Sequence, residues 1–152
     1  MRIARYFLTL VVVSSYAATP ADPLNDSDPD IHRILQACYK VPQDSGGLGP
    51  RDPEPYWMVC DEVARRRGVA IIDAVMKYLR RYPASEENLP QYVAVCPVVF
   101  FLPPGEAKRK LQKLEGSKNE IDRSNAHELL TDLDDPDHKE LVRKFRERHP
   151  KT

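Results

Sequence analysis

DPEPYWMVCDEVARRRGVAIIDAVMKYLRRYP, residues 52–83, carries two amphipathic stripes end to end. Asp52 can cap exposed amides and Pro53 suits a first helical position. Tyr56, Val59, Cys60, Val63 and Ala64 then recur on one side of a helix, while Asp61, Glu62, Arg65 and Arg66 take the other. Gly68 is a stop signal. Beyond it Val69, Ile72, Val75, Met76 and Leu79 form a second stripe opposite Asp73, Lys77, Arg80 and Arg81, with Pro83 just past the end. Gly68 either breaks the pair or loosens one long helix; both readings predict a mainly α fold, a small single-domain helical bundle.

Toward the N-terminus, Asp28-Pro29-Asp30 repeats the cap-and-proline opening, and Ile31, Ile34, Leu35 and Cys38 follow at i, i+3, i+4 and i+7. The segment 41–51, VPQDSGGLGPR, reads as a loop between packed elements. Toward the C-terminus, YVAVCPVVFFL, residues 92–102, is apolar, rich in β-branched and aromatic residues and flanked by prolines. It predicts one short strand or hairpin near 92–102, with Pro97 at an edge or bend and a buried irregular stretch or short helix as the rival. The expected core includes Ile34, Leu35, Cys60, Val63, Ile72, Met76, Leu79 and Val99. After Pro103-Pro104-Gly105 charged helix formers take over, with thin stripes of Ala107, Leu111 and Leu114, then Leu129, Leu130 and Leu133. Ser117-Lys118-Asn119-Glu120 fits a capping box, and Asp135-Pro136-Asp137 opens a last helix carrying Leu141, Val142 and Phe145. One helical domain over 29–150 is expected, its charged C-terminal third at 106–150.

Residues 1–17 read as a cleaved signal peptide. Arg2 and Arg5 form a basic front, Tyr6 to Val13 an apolar core, and Ser15-Tyr16-Ala17 a cut site. The apolar run stops well short of the roughly 20 residues that cross a bilayer, so the reading is a secreted chain with no membrane association after signal removal. Residues 18–28, ATPADPLNDSD, offer little to bury and predict a disordered leader. Within it Asn25-Asp26-Ser27 matches the acceptor pattern for N-glycosylation at Asn25. The whole chain balances 23 Lys and Arg against 23 Asp and Glu, and loss of Arg2 and Arg5 leaves it two charges to the acidic side. A phosphate-tracking surface would show a basic excess, so no nucleic-acid partner is expected.

Cys38, Cys60 and Cys96 are an odd number, allowing at most one internal bridge. Cys38 and Cys60 lie on two helices joined by a turn-rich loop, where a hairpin would bring them together; a Cys38–Cys60 disulfide is expected, with Cys96 buried and reduced. The spacings contain no CxxC, which argues against zinc and redox motifs. His127-Glu128-Leu129-Leu130-Thr131 begins like the zinc-protease helix but has Thr131 where the second histidine belongs. No GxSxG, phosphate-binding loop or GxGxxG occurs. The reading is therefore no catalytic residue, no metal site, no cofactor and no enzyme. Arg65-Arg66-Arg67 and Arg80-Arg81 could serve as processing sites, but cations at helix C-termini complement the dipole.

With a signal peptide, an acidic leader, few cysteines and a compact helical remainder, the chain resembles the small secreted effector proteins of plant-pathogenic fungi and oomycetes. Arg33-Ile34-Leu35-Gln36 ends in glutamine where the oomycete motif R-x-L-R has arginine, and reads as one turn of the first helix. The resemblance thus implies secretion, delivery into a host and a host protein as partner, and assigns no site residues. The expected function is a secreted protein-binding factor, with virulence as its effector form. An extracellular helical carrier of an apolar small molecule and a secreted enzyme of unrecognised class are the alternatives. Surplus patterned charge suits partner steering, and Arg143, Lys144 and Arg146 are the expected partner-binding residues.

Overall fold

The structure, a computed structural model, describes residues 22, 24–39, 52–83 and 88–150. Helix α1 (Pro29–Tyr39) starts where Asp28 Oδ1 accepts from the amides of Asp30 and Ile31 at 2.9 and 3.3 Å. Helix α2 (Glu54–Arg67) follows Asp52-Pro53 and ends at Gly68, whose φ of +54° is a conformation that an L side chain resists. Gly68 therefore breaks the pair: a single 3₁₀ turn, Gly68–Ala70, separates α2 from α3 (Ile71–Arg81). The stripes anticipated on α1, α2 and α3 are the faces that these helices bury, and every expected core residue is buried. They belong to one cluster that continues through the later helices.

The segment 92–102 is helical, which corrects the expected strand. Helix α4 (Leu89–Val95) is followed by the single turn α5 (Pro97–Phe100), and no strand occurs among the described residues. Cys96 keeps helical angles (φ −65°, ψ −35°), and Pro97 opens the next turn, where its missing amide costs no hydrogen bond. The run is apolar all round because Ala94, Val95, Cys96, Val98 and Val99 are enclosed by α1, α2 and α7. Such burial overrides the β preference of the residue types.

Helices α6 (Pro104–Glu115) and α7 (Glu120–Asp134) pack side by side, and α7 rests on α3 and α5. The cap of α7 is Asn119, whose Oδ1 accepts from Ile121 and Asp122 at 2.9 and 3.2 Å; Ser117, expected to cap, instead accepts from the Asn119 amide. Helix α8 (Pro136–Arg148) begins at Asp135, which accepts from Asp137, and buries Val142 and Phe145 against α5 and α7.

Residues 24–28, expected to be mobile, are held against the bundle. Asp26 pairs with Arg81, Asp28 with Arg67, and the buried Asp30 with both Arg66 and Arg67. The arginine clusters at the ends of α2 and α3 thus grip the chain that leads into α1. Residues 18–21 and 23, and the whole of the expected signal peptide at 1–17, lie outside the described residues.

Partial burial pushes the Asp28 carboxyl up, but the Arg67 guanidinium and the amides of Ile31 and Asp30 outweigh that and hold it below its ordinary 3.8. Arg143 holds the exposed Glu140 down to about 2, and Arg33 holds Glu62 low in the same way. A carboxyl depressed in the folded state stabilises above its unfolded pKa, and that contribution is lost as pH falls through the folded value. The thermal midpoint should accordingly hold down to about pH 5 and fall between about pH 4.5 and pH 2. A melting series by circular dichroism checks this, and a midpoint rising on acidification would contradict it.

Candidate functional site

Four elements meet along one flank of α8 and leave a groove of about 500 Å³. Its floor is apolar: Phe100 from the end of α5 and Leu102 from the turn beyond it, Pro104 from the start of α6, Leu133 from the last turn of α7, and Val142 from α8. Leu102 is fully buried, whereas Leu133 and Val142 sit at the edge of burial and face the opening. His138, in the first turn of α8, stacks on Phe100 with ring centroids 4.5 Å apart and planes 17° from parallel. Its Nδ1 lies 2.9 Å from the Asp132 carbonyl oxygen at the end of α7.

Lys139, Arg143, Arg146 and Glu147 border the groove, three cations against one carboxylate. Arg143 donates to both oxygens of Glu140 at 2.7 Å and also pairs with Glu147, so α8 fixes its guanidinium in place. Lys139 reaches Asp134. Arg146 donates to the Phe101 carbonyl oxygen at 2.7 Å and lies 3.5 Å from Asp61, a buried carboxylate that Arg65 pairs with at 2.7 Å. All four groove-edge side chains remain exposed.

The three expected partner-binding residues do not share one surface. Arg143 and Arg146, three positions apart, border this groove, and Arg146 also holds α8 to the turn after α5. Lys144 turns to the other flank of α8, where with Trp57, Leu141 and Arg148 it borders a shallower recess of about 370 Å³. The basic end of α8 folds back on the start of α2: Arg148 and His149 reach Glu54 at 3.1 and 2.5 Å.

The expected Cys38–Cys60 disulfide is not formed. Cys38 and Cys60 are buried thiols on the inward faces of α1 and α2, and Cys60 is engaged by the Tyr56 hydroxyl group. Burial pushes the Cys38 thiol up to about 11 and Cys60 further. Cys96 is buried beside Tyr92 and Asp132, with Tyr92 donating to Asp132 Oδ2 at 3.0 Å. Burial and the Asp132 charge both raise the Cys96 thiol, the reverse of what a nucleophile requires. All three thiols should react slowly in native protein and fully after denaturation without reductant. Labelling of only one under those denaturing conditions would establish a bridge.

Asn25 is exposed, at the end of a turn in which its amide donates to the Asp22 carbonyl oxygen at 2.9 Å. His127 is exposed and bonded to Glu115 at 3.0 Å. Among the described residues no three His, Cys, Asp or Glu side chains converge as metal ligands, and no helix is long and apolar enough to cross a membrane. The groove itself escaped the sequence reading because its floor comes from four separate elements; Leu133 on α7 and Val142 on α8 were the floor residues that helical stripes picked out. Comparison with protein-family models, curated proteins and solved structures returned no match to the chain.

Proposed function

We propose that this chain is a secreted protein-binding factor of the effector kind, which acts by taking an apolar segment of a host protein into the groove beside α8. The observation that carries this reading is the groove of about 500 Å³, apolar on its floor and charged at its edge. Apolar anchors seated in a groove with a polar rim are the usual means by which a small domain holds a partner helix. The stripes of α2 and α3 and the run 92–102 supply the filled core, so the space open to a partner is on the surface. Binding rather than catalysis is the activity, with Arg143 at the contact and Arg146 as both contact and support.

The groove volume also falls in the range of small-molecule sites, which favours the carrier as a second reading. A pull-down of mature protein from host extract, run beside Val142→Arg and the rim reversal Arg143→Glu, tests the proposal. Both variants should lose about tenfold or more of partner capture while keeping a helical circular dichroism spectrum. Undiminished capture by both would sink it, and recovery of a bound apolar small molecule in place of a protein would favour the carrier.

A further inference from the structure

The occupant of the groove can be specified more closely, on the premise of the binding role just proposed. A carbonyl oxygen only accepts, so the 2.9 Å contact between His138 and the Asp132 carbonyl assigns the hydrogen to Nδ1. In the neutral ring Nε2 then carries an in-plane lone pair. It has no hydrogen-bond partner among the described residues, and His138 is part of the groove lining. Stacking on Phe100 and the carbonyl bond hold the ring from two directions, so this acceptor is fixed before anything binds.

An apolar floor with one oriented acceptor suits a side chain that is apolar in its body and donates at its tip. The edge adds a second condition. Lys139, Arg143 and Arg146 stand there against Glu147 alone, while Asp134 and Glu140, which pair with Lys139 and Arg143, do not line the groove. Carboxylates on the incoming chain meet attraction and basic residues meet repulsion.

We propose that the groove receives a tryptophan carried on an acidic segment of the partner protein. The indole body lies against Phe100, Leu133 and Val142, its N–H donates to His138 Nε2, and flanking carboxylates meet Lys139 and Arg143. Phenylalanine would fill the same space and leave the acceptor unanswered in an apolar wall.

Isothermal titration of the mature protein with the acetylated peptide Glu-Glu-Trp-Leu-Glu tests this, beside the same peptide carrying 1-methyltryptophan, which lacks the donor. The methylated peptide should bind about tenfold more weakly or worse, since a polar group is then left unpaired. Equal affinity of the two peptides overturns the assignment. His138→Phe, which keeps a ring on Phe100 but removes the acceptor, should bind both alike; a difference that persists in this variant would also overturn it. If neither peptide binds while Val142→Arg still abolishes partner capture, the indole assignment falls and the binding role stands. Capture that ignores the groove variants strikes the binding role itself.

Discussion

Replacing Phe145 with alanine is expected to cost about 3–5 kcal/mol of folding stability. Phe145 is 1% exposed, and it meets Phe101 edge-on at 5.3 Å, Trp57 at 6.2 Å and His149 at 4.7 Å. Only Val142 and Phe145 of α8 are buried, so this ring is the main apolar anchor of the helix. The ion pairs that tie the end of α8 to Glu54, from Arg148 and His149, are exposed, and solvent-screened pairs of this kind contribute little. Urea unfolding should therefore show a large drop in midpoint, together with loss of groove binding even where the rest of the protein stays folded. A loss below about 1 kcal/mol would mean that the charged contacts, not the ring, hold α8.

Leu79→Ala is expected to cost about 2–5 kcal/mol, by leaving a cavity on the inner face of α3. Leu79 is fully buried within the cluster shared by α1, α2 and α3, away from the groove lining. The two variants thus separate folding from function. At low temperature, where most molecules remain folded, Leu79→Ala should bind the partner as the parent does, whereas Phe145→Ala should not. Comparable binding losses in both would place the functional surface elsewhere.

The contrast between these helices also shows which parts of the molecule were readable from residues alone. On α1 to α3 each helix buries one broad face, so periodicity identifies both element and core, and Gly68 marks a break that only its backbone freedom permits. At 92–102 most residues are buried and the rest are partly so, periodicity disappears, and residue type pointed to a strand where packing made helix. The α7 cap fell on Asn119 rather than Ser117, because any short polar side chain near a helix start can accept those amides. Of Arg143, Lys144 and Arg146, expected together, Arg143 and Arg146 lie three residues apart on α8 and border one groove. Lys144, next to Arg143 in sequence, is turned about 100° away and borders the other recess. The groove floor, drawn from Phe100, Leu102, Leu133 and Val142, has no sequence period at all.

The ion pairs at the two ends of α2 bear on how the molecule carries a load. Arg66 and Arg67 at its C-terminal end grip Asp28 and Asp30, while Glu54 at its N-terminal end receives Arg148 and His149. The entry to the first helix and the exit from the last are thereby tied to opposite tips of one 14-residue rod, about 20 Å long. Tension applied between those two points runs along the axis of α2 and reaches these charged fastenings before it reaches the apolar interior. Stretched in this way, the molecule is expected to peel at its ends first, and salt, which weakens the exposed pairs to Glu54 more than those of the buried Asp30, should lower the force at which the last helix comes away.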